Sequence, residues 1–228
     1  MNIIKIEDVA ERMYQSFKKA LADFAKTEDN KEVYAVVFDC NIPYFDVCLR
    51  YANARDYEKR SADYDKYADL YKPYGRKGLL GFKYNAVGDF KRIDFAEDSV
   101  VKYFRSSGCC QSAEAVYYGD ADRPADTFSY RGEMLRGDVK TELMHYDDGA
   151  FQKDGAFYLG LAPKLMELFE EMIVSCILRL KEDELGLDQT DDFIMFMCGH
   201  DESNADFAAH VSRTVEKDLF EQLTDDSE

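Results

Sequence analysis

The chain predicts an α+β fold: a mostly antiparallel or mixed sheet packed against a long buried helix, with flanking N- and C-terminal helices. Three observations carry this. A helical apolar period opens and closes the sequence. Strand-like runs arrive as hairpins with short turns, not as repeated βαβ units. The stretch from Pro163 to Lys181 carries the broadest apolar helical face in the chain. The length suits one domain over residues 1–228, with an insertion or long irregular segment at 106–155.

Taken in order, Ile6 to Thr27 reads as an amphipathic helix. Val9, Met13, Phe17, Leu21 and Phe24 recur at steps of three and four, and Glu7 and Asp8 suit a first turn. Val33 to Cys40 is β-branched and aromatic, a central strand. Asn41 to Pro43 then turns the chain into an alternating strand, Tyr44 to Tyr51, which makes a hairpin. Asn53 caps a second helix running to about Tyr71, along which Tyr57, Tyr64 and Tyr71 form a phenolic stripe. Leu79 to Tyr84 and Phe90 to Phe95 read as two further strands joined by turn residues, and Glu97 to Arg105 as a short helix.

Periodicity then fades. Between Ser106 and Gly155 short strands are expected that the pattern does not place, because a structureless loop of that length is rare in a compact domain. Pro163 opens the long helix, whose face is Leu165, Leu168, Phe169, Met172, Ile173, Cys176, Ile177 and Leu180. Asp192 to Cys198 is a strand apolar on both faces. Ser203 and Asp206 make a capping pair for one last helix, with Ala208, Val211, Val215, Leu219 and Leu223 on its face.

Composition narrows the function classes. The chain is 46% hydrophobic and 14% aromatic, enough for a packed core. The start of the sequence lacks a signal-peptide pattern, and no apolar window is long enough to span a bilayer. The expected setting is cytoplasmic, with the six cysteines as free thiols. The net charge is −17 and lopsided: Lys181 to Glu228 holds fifteen acids and three bases. Such a field repels phosphates, which argues against nucleic acid and anionic membranes and favours a basic protein partner. Glu182, Asp183, Glu184, Asp188, Asp191, Asp192, Asp201 and Glu202 are the candidate partner-binding acids. The strand from Asp192 to Cys198 splits them by roughly 20 Å, at about 3.3 Å per residue.

Catalytic signals are weaker. Cys198, His200 and Asp201 follow an interior strand. A thiol, an imidazole and a carboxylate in that order could act as nucleophile, base and orienting acid, or His200 could hold a metal. His145 with Asp147 and Asp148 reads as a solvated turn, and His210 as structural. Gly75 to Gly78 lacks the phosphate-loop pattern, and adjacent Cys109 and Cys110 read as incidental. No G-x-S-x-G or H-E-x-x-H occurs, and no cofactor is implied. The Tyr57, Tyr64 and Tyr71 stripe is either a core boundary or a homodimer face.

The opening helix, VYAVVFDCNIPYFDVCLRYAN, and the closing helix–DFIMFMCGHDESN–helix unit resemble a bacterial family of uncharacterised single-domain α+β proteins. The likeness covers about the first hundred and last seventy residues, by the coarse matching of element order. The family supplies no catalytic residues to carry over. Similar small acidic proteins serve as immunity partners of secreted bacterial toxins. The resemblance therefore implies a non-enzymatic acidic binding protein, plausible as an immunity-type protein that neutralises a basic toxin or protein. The alternative is a hydrolase-like enzyme working from Cys198, His200 and Asp201, or from a metal at His200.

Overall fold

A computed structural model describes residues 3–66, 83–117, 127–135, 140–147, 150–158, 161–200 and 202–224. The fold is α+β, with mixed sheets of three and four strands. The chain divides into two compact units. The first comprises Met1–Gln15, Asn41–Asp46 and Glu97–Met172, and the second Ser16–Cys40, Val47–Ala96 and Ile173–Glu228.

The first unit contains a strand that periodicity did not reveal. Strand β1 (Ile3–Lys5) pairs in parallel with β5 (Thr127–Tyr130), which pairs antiparallel with β6 (Glu133–Leu135). The β5–β6 turn uses Arg131 and Gly132, both at positive φ (52 and 80), which matches the twist of a tight hairpin. Glu7, at the start of α1 (Ile6–Phe24), accepts a hydrogen bond from the Arg131 amide. Helix α3 (Ser99–Tyr117) is longer than the expected Glu97–Arg105 helix. Its Gly108 leaves room for Phe45, whose ring would lie 2.9 Å from a Cβ at that position. Strands β7 (Lys140–Asp147) and β8 (Ala150–Tyr158) form an antiparallel hairpin. The described part of 106–155 is therefore regular: the end of α3, then four strands.

The second unit is built on a sheet of order β4–β3–β2–β9. Strand β2 (Val33–Asn41) connects through a 3-10 turn at Ile42–Tyr44 to β3 (Asp46–Asn53), and β3 pairs antiparallel with the two-residue β4 (Lys91–Arg92). Strand β9 (Gln189–Gly199) pairs in parallel with β2, with Asp39 opposite Cys198 and Cys40 opposite Gly199. Every residue from Val33 to Cys40 and from Ile194 to Cys198 is buried. That explains the apolar runs Val33–Phe38 and Ile194–Cys198, since strands covered on both faces need no polar alternation. Phe17 stacks edge-on to Phe38 at 5.0 Å. Ile194, Phe196 and Cys198 join Tyr34, Phe207, Val211 and Leu223 in one cluster.

Helix α2 (Ala54–Lys66) starts where expected, with Asn53 Oδ1 accepting from the Asp56 amide at 3.0 Å. Helix α4 (Leu161–Lys181) buries every residue of its expected face. Two expectations need correction. Lys83 and Tyr84 are helical, not the end of a strand, and β4 pairs with β3 instead. The Tyr84 phenol anchors that turn by donating to the Asp192 carbonyl at 2.7 Å. The single last helix is two, α5 (Asn204–Ser212) and α6 (Lys217–Thr224). The break falls at Thr214 and Val215, a poor helix-forming β-branched pair, where Lys181 donates to the Thr214 carbonyl.

Candidate functional site

Two places in the second unit gather the polar residues of interest. The first is the C-terminal end of the β2–β9 pair. Asp39 is the one acid in β2, 6% exposed, and a buried carboxylate needs compensation. Arg50, on neighbouring β3, supplies it through an Nε hydrogen bond to Oδ2 at 2.8 Å, and its Nη1 donates to the Phe90 carbonyl at 3.2 Å. His200 Nδ1 lies 3.2 Å from Asp39 Oδ1, and the His200 amide donates to the Cys40 carbonyl at 2.8 Å. The imidazole is 54% exposed.

The residues named from sequence fare differently here. Cys198 is buried, and burial first, then Asp39 and Glu202, push its thiol well above the ordinary range. A thiol so held is protonated at neutral pH and lacks the electropositive setting of a nucleophile. His200 does meet a carboxylate, but it is Asp39 of β2. Asp201 lies outside the described residues. Glu202 turns to His210 on α5, with Oε2 2.6 Å from Nδ1. Ser203 caps α5, its Oγ accepting from the Asp206 amide at 3.2 Å. Among the described residues no group of three or more His, Cys, Asp or Glu is placed to hold a metal ion. Asp39 and Arg50 were missed as a site. The available signal was a lone acid in an apolar strand, which demands a cationic neighbour.

The second place is the opposite end of the sheet. The loop after α1 is stitched to the segment before β9. Asn30 Nδ2 donates to the Ala25 and Gly186 carbonyls at 2.9 and 3.0 Å, and its Oδ1 accepts from the Asp188 amide at 2.9 Å. Val33 N donates to the Asp188 carbonyl at 2.7 Å, and Glu32 N to Asp188 Oδ2 at 3.3 Å. The segment so tied carries Glu28, Asp29 and Glu32, all exposed, and Glu32 meets Asp188 directly. Sequence order alone had kept these groups apart.

Of the eight acids named as partner-binding, Glu182, Glu184, Asp188 and Asp191 are exposed near this junction. Three are held in side-chain pairs within the fold. Asp183 pairs with Lys18 at 2.7 Å, Asp192 with Lys83, and Glu202 with His210. Glu202 also sits at the far end of β9. Asp201 is outside the described residues.

The tyrosine stripe resolves only at Tyr57. Its ring packs edge-on to Tyr34 at 5.8 Å, beneath the ammonium of Lys83 at 5.2 Å and the guanidinium of Arg60 at 5.6 Å. The Tyr64 side chain and Tyr71 lie outside the described residues, as do Gly75 to Gly78, Asp148 and the side chains of Cys109, Cys110 and His145. Cys48 and Cys198 are free thiols, and Cys40 and Cys176 are buried. No described helix is long and apolar enough to cross a membrane.

Comparison with protein-family models, with curated proteins and with solved structures returns no match.

Proposed function

We propose that this chain is a non-enzymatic binding protein of the immunity type, acting in the cytoplasm and holding a basic protein partner on the acidic end of its second unit. One observation carries the reading: Asn30 and Asp188 tie two acid-rich segments together. Glu28, Asp29 and Glu32 are exposed on one of these segments, and Glu182, Glu184, Asp188 and Asp191 on the other. Clustered like charges cost self-repulsion in the free protein and steer an oppositely charged partner on approach. Lys91 tempers the junction, lying 3.9 Å from Asp29 and 3.0 Å from Asp56, so the field is strong but not unopposed. The test is a pull-down with the product of a neighbouring gene, followed by salt titration. Affinity that falls steeply from 50 to 500 mM salt supports the reading, because exposed charges are screened within about 10 Å at 0.1 M. Salt-insensitive capture, or none, counts against it.

The second reading is a hydrolase-like enzyme. It draws support from the Asp39–His200 pair, a carboxylate oriented on a half-exposed imidazole. It is weakened by the buried, protonated Cys198 thiol.

A further inference from the structure

Strand β9 does not run straight along β2. Val33 lies opposite Gln189, and Ala35 lies opposite Ile194. Strand β2 advances two residues while β9 advances five, so β9 carries three extra residues opposite Tyr34. An arch of this kind re-aims side chains. Within it Thr190, Asp192 and Phe193 are half-buried, and Asp191 is exposed.

Asp192 fastens the arch. Its Oδ1 accepts from Thr190 Oγ1 at 2.7 Å. The Tyr84 hydroxyl contacts both the Asp192 carbonyl, at 2.7 Å, and Oδ2, at 3.0 Å. The Lys83 ammonium also pairs with Oδ2. Burial pushes the Asp192 carboxyl up, but the hydrogen bonds from Lys83, Thr190 and Tyr84 outweigh it and hold the group below its ordinary value.

Lys83 is itself confined. Its side chain is 13% exposed, and its ammonium lies 4.7, 5.2 and 5.5 Å from the ring centres of Tyr34, Tyr57 and Tyr84. Ring faces attract a cation without neutralising it. The Lys83 carbonyl accepts from Arg60 Nη2 at 2.9 Å and from the Tyr34 hydroxyl at 3.3 Å. Fixing a lysine at both ends costs side-chain entropy. What the fixed ammonium holds is the arch.

We propose that Lys83 is a positioning residue for the acidic binding surface: it holds Asp192, and through it the arch that presents Asp191 to the partner. This role rests on the partner-binding reading above. An arch ordered beforehand need not be immobilised when the complex forms.

The test titrates an N-acetylated pentalysine amide into the isotope-labelled full chain at about 50 mM salt, where exposed charges are weakly screened, and follows the Asp191 amide by NMR. Charge alone and positioning predict opposite signs for Lys83→Met. Removing a cation from a chain of net charge −17 tightens binding of a cationic probe. Loss of the fastening weakens it, by about three- to tenfold, the equivalent of ordering one side chain on binding. Tyr84→Phe keeps the charge and the ring, and should weaken the probe about threefold with an unchanged salt dependence. Lys217→Met removes an exposed lysine on α6 and should bind the probe at least as tightly as the unmodified chain. Asp191→Asn should weaken it. Given that loss, a Lys83→Met chain that binds as tightly as the unmodified one overturns the positioning role and leaves the acidic surface standing. Unchanged affinity in Tyr84→Phe overturns it as well, whether or not Lys83→Met folds. Unchanged affinity in Asp191→Asn overturns the surface itself, and the positioning role with it.

Discussion

Replacing Asn30 with Ala should undo the acidic junction without removing a single charge. The Asn30 side chain makes three hydrogen bonds, to Ala25, Gly186 and Asp188, between 2.9 and 3.0 Å. Each is worth about 0.5–1.5 kcal/mol net. The site is half-buried, so water can recover part of the loss, and the expected cost is about 2 kcal/mol. In a chain of this size that lowers the melting point by about 4–8 °C. The local signature is sharper. The Val33 amide donates to the Asp188 carbonyl and the Glu32 amide to its carboxylate. Hydrogen exchange at Glu32, Val33 and Asp188 should accelerate while the Ile194–Cys198 amides stay protected. Partner affinity should fall although net charge is unchanged. A stability change under about 0.5 kcal/mol, with exchange at these three amides unaltered, would refute the reasoning that Asn30 holds the segments together.

Asp39→Ala should cost about 3–5 kcal/mol in urea denaturation, since it leaves the nearly buried Arg50 uncompensated; a cost below about 1 kcal/mol would mean that Arg50 finds water instead. Iodoacetamide at pH 8 should leave Cys198 unmodified in the folded chain and alkylate it in urea, as read by peptide mass spectrometry; rapid native labelling would contradict the raised thiol. Burial pushes the Tyr34 phenol from 10.0 up to about 12, against the opposing pull of Arg60. The folded value lies above the unfolded one, so this stabilisation is complete below pH 10 and is lost as pH rises to about 12. Absorbance at 295 nm should show Tyr34 ionising late, and titration of all tyrosines near pH 10 in the folded chain would contradict it.

What the sequence made legible was local. The apolar stretches Val33–Phe38 of β2 and Ile194–Cys198 of β9 announced strand segments buried on both faces, and the period of α4 named its whole buried face. Asn53 and Ser203 both cap helices where their residue types suggested, because a cap needs only neighbours three residues away. Pairings across long separations were not legible. Strand β1 has three residues and exists only through β5, more than a hundred positions later. Asp39 and Arg50 were each visible, but nothing local said that His200 would join them. Lys83 and Tyr84 carry strand-like neighbours, yet both are helical, and the Tyr84 hydroxyl donates to the distant Asp192 carbonyl. The acid candidates were chosen by composition, which cannot tell an exposed Asp191 from an Asp192 held by Lys83.

The central claim is that one acidic junction, not overall charge, holds the partner. Amide replacement at Glu28, Glu32, Glu184 and Asp191 removes four exposed charges from the junction, and the same change at Asp8, Glu133, Glu171 and Glu216 removes four exposed charges elsewhere. At about 0.5 kcal/mol per exposed pair, the first set should weaken capture of the partner roughly thirty-fold at 50 mM salt, and the second should leave it within about twofold. Equal losses from both sets, or none from the first, would contradict the account.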